Sequence, residues 1–337
     1  MSAIELTYLS GDDIDAVAPT DDEILDSVRA VLAAQGRGET VLEPRMHLFP
    51  SDANGHFNVL RGAVPGAAGV KVVGDYVDNH RLGLPSELAL LLMMDPANGA
   101  PTAILDATAI TEMRTGAVTA IGAEHLARGD ARVLGHVGAR GTAYWNVRLL
   151  ARVLPSLEEI RVHSLRAGSR EAFAQRLRAD LGPGLQVRAV ASWEECLAGA
   201  DVLVEASRLT EPAPLLHTGW AAPGTLLIPY GTVSAVELDL TDAMDKVVVD
   251  DWGQATVGPL GALRAHVDSG RLTQADLHAE LGQIVCGARP GREGAQERIL
   301  FWHRGLSITD VALGETILAK ARATGIGTTL AYRRAAR

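Results

Sequence analysis

The chain has 337 residues, of which 47% are hydrophobic and 21% charged, with a formal net charge of −10. That length allows two domains with cores of their own, and the composition is too apolar for a disordered chain. The acidic balance speaks against a nucleic-acid or anionic-membrane partner, and the longest apolar run, Leu88–Met94, is far too short to span a bilayer.

In chain order, residues 4–9 read as a short strand. Thr20-Asp-Asp-Glu23 reads as a capping box opening a helix to about Ala34. Ile24, Val28, Val31 and Leu32 form its apolar face, and Gly36 and Gly38 end it. From Val41 to Asp106 the pattern predicts strands near 42–49, 56–62, 68–77, 88–95 and 101–105. Turn signals separate them at Asp52–Gly55, Val64–Gly66 and Pro96–Gly99. A helix from about Thr108 to Ala127 follows, and its small residues Gly116, Ala117, Ala120, Gly122 and Ala123 suit close packing at a hinge. From Asp130 strands and helices alternate. Strands are expected at 132–137, 159–163, 185–190, 201–205, 224–228, 246–250 and 299–302. Helices are expected at 141–154, 169–180 and 192–198, in a helical stretch over 252–290, and finally at 307–323. The expected fold class is α/β: a helix with a mostly antiparallel sheet, then a Rossmann-type doubly wound sheet with helices on both faces.

The acidic N-terminus carries no signal-peptide pattern, which predicts a cytoplasmic protein. Cys196 and Cys286 suggest neither a disulfide framework nor a zinc site, and no His and carboxylate cluster has metal-ligand spacing, so no metal is expected.

The stretch Ala131–Leu150 carries the most informative motif: an apolar strand, a glycine turn and a helix. Glycines let the backbone approach a pyrophosphate, and the helix N-terminus offers free N–H groups and a positive dipole end. Gly138 and Ala143 fill the first and third places of G-x-G-x-x-G/A, and Arg140 stands in the second. Gly138, Ala139, Arg140, Gly141 and Thr142 form the candidate cradle; a tight turn that binds nothing would read the same way. The end of the next strand, Ile160–Arg166, has no acidic residue to hold a ribose 2′-hydroxyl. His163, Ser164 and Arg166 offer donors or positive charge instead, which predicts NADP(H) over NAD(H).

Only three of the 31 basic residues are lysines: Lys71, Lys246 and Lys320. A lysine kept inside the apolar strand around Val70 and Val72 is notable, because a desolvated lysine can lose its proton and an arginine cannot.

Pro44-Arg45, Gly69-Val-Lys71, Gly83-Leu-Pro-Ser86, Met94-Asp95 with Asn98-Gly99, and Thr111-Glu-Met-Arg114-Thr-Gly-Ala117 precede the glycine turn. Ala200–Ser207, Val236–Asp239, Val249–Asp251 and Gly305–Asp310 follow it. Their order and spacing resemble the ornithine cyclodeaminase/mu-crystallin family over nearly the whole chain. The resemblance implies a substrate-binding and dimerisation domain from residues 1–115 with 308–337, and a Rossmann domain, 116–307, that binds a nicotinamide cofactor. It also implies a homodimer and a small amino- or imino-acid substrate, with hydride transfer at a carbon that bears nitrogen beside a carboxylate. Arg45, Lys71 and Arg114 match the family's carboxylate cradle, with Lys71 as candidate acid/base. Ser86, Thr115, Ala206, Ser207, His303 and Gly305, with Arg304, fall on the cofactor side. Asp310 reads as a first-turn acid favouring the helix dipole.

Three positions depart from the family pattern. Cyclodeaminases carry an aspartate where this chain has Gly231, which argues against cyclisation of ornithine or lysine unless another group, such as Tyr230, serves. Glu205 replaces a small hydroxyl residue, and Arg140 interrupts the glycine turn. The leading expectation is an oxidoreductase acting on amino or imino acids. The alternatives are a cyclodeaminase with a different base and a non-catalytic protein that binds NADP(H) or another ligand.

Overall fold

The computed structural model describes residues 3–51, 54–139, 141–209, 211–231 and 233–334. Arg140 and the first half of the Asp52–Gly55 turn lie outside the described residues. The chain divides into two compact units, one running to Arg114 and resuming at Leu306, the other spanning Thr115–Gly305.

The first elements are β1 (Ala3–Leu9), α1 (Gly11–Val17), α2 (Asp21–Gly36), β2 (Val41–Leu48), β3 (His56–Val64), β4 (Ala67–Asp75), β5 (Glu87–Met94), β6 (Pro101–Asp106) and α3 (Thr108–Leu126). Next come β7 (Val133–Val137), α4 (Gly141–Val153), β8 (Glu159–His163), α5 (Ala167–Leu181), β9 (Gln186–Ala189), α6 (Trp193–Leu197), β10 (Val202–Glu205) and β11 (Leu226–Pro229). The chain ends with β12 (Lys246–Val249), α7 (Trp252–Ala255), α8 (Arg264–Asp268), β13 (Ala279–Glu280), α9 (Leu281–Val285), β14 (Ile299–Trp302), α10 (Ser307–Thr324) and β15 (Thr328–Arg334).

The first unit is built on a seven-stranded sheet in the order β15-β1-β6-β5-β4-β3-β2. All its neighbours are antiparallel except β1 and β6. Helix α2 starts as its sequence dictates: Thr20 N–H donates to Glu23 Oε2 at 2.7 Å, and Glu23 N–H to Thr20 Oγ1 at 3.2 Å. Its Ile24, Val28 and Leu32 are fully buried, each contributing about 1.5–3 kcal/mol. Helix α10 packs on α2 and on β3, β4 and β5. Glycine permits that approach, because a Cβ on Gly314 would stand 2.6 Å from Leu91 Cδ2. The opposite sheet face carries the cross-strand row Met46, Val59, Val72 and Leu90, in which Met46, Val72 and Leu90 are exposed.

Two elements of this unit escape the sequence pattern. Helix α1 is only seven residues long, and its capping box pairs Ser10 with Asp13 rather than with a Glu or Gln. Strand β15 follows Gly325 and Gly327 and is specified by its antiparallel pairing with β1.

The second unit holds an all-parallel eight-stranded sheet in the order β13-β12-β14-β11-β10-β7-β8-β9. From β7 the chain winds outward through β8 and β9, then returns to β10 on the other side. That reversal makes the topological switch point between β7 and β10, where ligands of open α/β sheets bind beyond the carboxyl ends of the strands. The small residues of α3 serve close packing: a Cβ on Gly122 would stand 2.3 Å from the Phe301 ring, and one on Gly116 2.6 Å from the Trp145 backbone. The helical stretch expected over 252–290 is broken into three short α-helices, α7 to α9, a 3-10 turn at Gln274–Asp276 and the edge strand β13. No described helix is long and apolar enough to cross a membrane, and no described group of three or more His, Cys, Asp or Glu is placed to hold a metal ion.

Gly138 sits at the switch point with φ +119, and a Cβ there would stand 2.7 Å from the Ala206 carbonyl oxygen. Both the backbone angle and the space demand glycine. Gly138→Ala is expected to cost on the order of 1–3 kcal/mol, read as a lower melting temperature; an unchanged melt would contradict this packing.

Candidate active site

Alternation along β4 turns Lys71 toward α10 and its neighbours Val70 and Val72 the other way. The Lys71 side chain is fully buried. Its Nζ donates to Asp310 Oδ1 at 2.6 Å and to Thr111 Oγ1 at 3.0 Å. Thr111 gives its own hydroxyl proton to the Ala107 carbonyl at 2.7 Å, so it can only accept from the lysine. Arg114, one turn along α3, donates its Nε to the same Asp310 Oδ1 at 2.8 Å.

Two buried cations therefore share one carboxylate oxygen. Arg114 Nη1 and Asp310 Oδ2 are buried and complete no hydrogen bond among the described residues. Desolvation first, then the Arg114 charge, pull the Lys71 pKa down from 10.5 to about 7; Asp310 opposes this and Arg45 adds to it. Arg45 reaches this neighbourhood through a β-bulge. The β2–β3 register slips between Glu43 and Met46, so Pro44 and Arg45 together oppose Leu60, which pairs with Lys71 on its other side. Pro44 is tolerated because β2 is an edge strand. The cluster is one negative charge short, which suits an anion, and its lysine can give or take a proton near neutral pH.

Asp310 stands in the first turn of α10, where an acid favours the helix dipole, and it has a further role. It is fully buried and serves as the shared counter-ion of Lys71 and Arg114, 239 and 196 residues away in sequence.

In the second unit, Gly138 and Ala139 follow β7, while Gly141 and Thr142 open α4. Ala206 and Ser207 follow β10, and the Ala206 N–H donates to the Val137 carbonyl at 2.9 Å, holding the two strand ends together. Behind them runs a buried polar array. His303 Nε2 lies 2.9 Å from Thr119 Oγ1, its ring stacks on Tyr230 with centroids 4.9 Å apart, and Asn146 Nδ2 donates to the Tyr230 hydroxyl. Asp250 is fully buried and accepts the N–H groups of Arg304 and Gly305 at 2.8 Å each, fixing the turn after β14. The Arg304 guanidinium is committed to the carbonyls of Gln254, Ala255 and Val257. Thr115 is buried at the start of this unit. Ser86 lies in the first unit, its carbonyl accepting the Tyr76 N–H at 2.8 Å.

At the end of β8 one expectation needs correcting. His163 is buried with Nδ1 3.2 Å from the Val190 carbonyl, so that nitrogen faces inward and not toward a phosphate. Arg166 stands exposed at the start of α5 and makes no side-chain cap bond. Arg170, one turn on, donates to the Ser164 carbonyl at 3.3 Å. The sequence reading passed over Arg170, although its i, i+4 spacing from Arg166 marks a second cation on the same helix face.

The two departures at 205 and 231 prove to be one feature. A Cβ on Gly231 would stand 2.6 Å from Glu205 Oε2 and 2.9 Å from Oε1. Position 231 carries no carboxylate of its own, yet the Glu205 carboxylate occupies the space its side chain would take. Glu205 is fully buried. Burial pushes its pKa up to about 7, against the opposing pull of Ser207 and of the Gly231 backbone. Ser207 donates its N–H at 2.7 Å, and also its hydroxyl, to Glu205 Oε1, so that hydroxyl proton is already spent.

Removing the shared counter-ion tests the first cluster. In Asp310→Asn the Lys71 pKa is expected to fall below about 7, because Asp310 raises it, and stability to fall by about 3–5 kcal/mol. Both are readable, by NMR titration of the lysine and by chemical denaturation. In the wild type, Lys71 binds its proton less tightly folded than unfolded. Its contribution to stability should therefore rise with pH between about 7 and 10.5, and a Lys71→Met variant should lose that rise.

The family model of the ornithine cyclodeaminase/mu-crystallin family matches residues 9–325. The alanine dehydrogenase of Archaeoglobus fulgidus is 28% identical over 334 residues, covering 98% of this chain and 99% of its own length. The Δ1-pyrroline-2-carboxylate reductase of Thermococcus litoralis, solved with NADH and L-proline, matches with a TM-score of 0.89 at 28% identity, over 96% of this chain and 99% of that one. An archaeal alanine dehydrogenase dimer with bound NAD matches with a TM-score of 0.87 at 26% identity, over 97% and 99%. The chain belongs to the ornithine cyclodeaminase/mu-crystallin family.

Proposed function

We propose that the protein is an NAD(P)H-dependent oxidoreductase that transfers hydride at the α-carbon of an amino or imino acid. The observation that carries this reading is the charge-deficient cluster of Lys71, Arg114 and Asp310. Arg114, with its unpaired Nη1, and Arg45 would take the substrate carboxylate as guanidinium forks do. Lys71, half protonated near pH 7, would give a proton to the substrate nitrogen in reduction and take one in oxidation. Relatives named as an alanine dehydrogenase and a Δ1-pyrroline-2-carboxylate reductase support the same chemistry.

A nicotinamide dinucleotide fits the second unit. The Gly138 turn brings bare backbone to the switch point, and the N-terminus of α4, with Ala139, Gly141 and Thr142, is suited to a pyrophosphate. When bound, the nicotinamide supplies or accepts the hydride. Ala206, Ser207, His303, Gly305 and Thr115 complete the proposed cofactor contacts within this unit. For the adenosine end we favour NADP(H) over NAD(H). Ser164 and Arg166, joined by Arg170, offer donors and positive charge at the end of β8, where no acid stands to hold a 2′-hydroxyl. The exposed row Met46, Val72 and Leu90 supports a homodimer through that sheet face, in keeping with the alanine dehydrogenase dimer among the relatives.

A second reading, the cyclodeaminase one, is favoured by one observation: the Glu205 carboxylate lies where Gly231 left none. Ammonia release from ornithine or lysine without net cofactor consumption would select it.

Lys71→Met should reduce turnover roughly 10²–10⁴-fold while leaving dinucleotide affinity unchanged by calorimetry; loss of both together would make Lys71 structural. Arg166→Ala should weaken NADPH binding about tenfold, the worth of one charge-assisted contact, and leave NADH binding alone. Equal losses for both would remove the 2′-phosphate role. Light scattering should report a dimer that Val72→Glu with Leu90→Glu converts to monomer, and a dimer that survives both changes would place the interface elsewhere.

A further inference from the structure

We propose that Glu205, through Oε2, binds an N–H donor of the small molecule held at the carboxyl edge of the second unit's sheet. The proposal rests on the oxidoreductase reading and adds to it a recognition residue supplied by this chain's own departure from its family.

The position comes first. Glu205 is the last residue of β10 and pairs in register with Val137, the last residue of β7, and with Pro229. It thus stands at the switch point itself, on the strand that flanks the Gly138 turn. Its two oxygens are not equivalent. Oε1 accepts both the N–H and the hydroxyl of Ser207, whereas Oε2 is buried and completes no well-formed hydrogen bond among the described residues; the Gly231 backbone pulls on the carboxyl without closing one to it. A buried carboxylate oxygen without a donor is costly, and such groups concentrate where a ligand supplies the missing partner. Gly231 keeps the space open, since even a Cβ there would collide with the carboxyl group. With Oε1 engaged by two donors, any proton the carboxyl carries belongs on Oε2. The pKa near 7 leaves that oxygen able to accept from an amide N–H or to pair with a charged nitrogen.

The donor is a nitrogen-borne hydrogen, and two sources can provide it: the carboxamide of the nicotinamide or the amino or imino group of the substrate. Calorimetric titration with NADPH and with NADH, followed by steady-state kinetics on alanine and proline, separates them. The proteins are wild type, Glu205→Gln and Gly231→Ala. Glutamine keeps the shape and can still accept from Ser207, but it turns an NH₂ toward the ligand donor. Alanine at 231 leaves the carboxyl in the chain and displaces it, so it tests the same contact should Glu205→Gln fold poorly. Dinucleotide affinity at least tenfold weaker in both variants, without amino acid present, assigns Oε2 to the carboxamide. Unchanged dinucleotide affinity with a tenfold higher KM for the amino acid assigns it to the substrate nitrogen. A wild type that binds and turns over, with variants matching it in both measurements, overturns the proposal and leaves the oxidoreductase reading standing. A wild type that neither binds dinucleotide nor turns over removes both.

Discussion

A lysine amine held out of water inside the first unit's sheet is the constraint on which the account depends. Burying a charge is tolerable only with a partner, and breaking such a pair costs about 3–5 kcal/mol. Lys71 has one carboxylate, Asp310, and shares it with Arg114. Meeting that constraint requires α10 to lie close on the sheet. The missing side chains of Gly69 and Gly314 allow it: a Cβ on Gly69 would stand 3.0 Å from Val311 Cγ2. Strand β4, the first turns of α3 and the first turn of α10 are thereby locked at one point. The cost is not fully met, since two cations face one anion. Burial first, and then the Arg114 charge, loosen the lysine's proton, and the same shortfall is what the proposed carboxylate site rests on.

The second unit solves a different problem with backbone. Its strand order puts the ends of β7 and β10 side by side, and Gly138 lets the chain turn there without striking Ala206. What faces this edge is acceptor-rich. Ser207 has spent its hydroxyl proton on Glu205, and Glu205 Oε2 completes no well-formed hydrogen bond among the described residues. Tyr230 stacks on His303, and the pair is tied to Asn146 and Thr119. Burial holds His136, beside Asn146, neutral by lowering its pKa to about 4.

Much of this was legible in the sequence because it is local. The Thr20–Glu23 box, the apolar strand around Lys71 and the β7–Gly138–α4 unit each carry their signal within a few residues. The small residues of α3 foretold close packing without naming the partners, Trp145 and Phe301. What escaped is what only the folded chain brings together. Asp310 looks like any first-turn acid until β4 and α3 are laid against α10. Glu205 and Gly231 read as two losses, whereas in space one fills the gap of the other. Strand β15 has no strong pattern of its own and is ordered by β1. Over 252–290 the mixed composition suggested helix, but short capped turns and a two-residue strand divide it.

Direct titration of Lys71 tests the central claim best, and a chain with only three lysines makes it practical. Protein labelled at the lysine side chains would be followed by NMR from about pH 5 to 11, with Lys71→Met to assign the signal. One amine should titrate near pH 7 and be absent from the variant. Three amines that all titrate at about pH 10, the ordinary lysine value, would mean that Lys71 is neither buried nor crowded by Arg114 as described, and the proposed carboxylate site would fall with it.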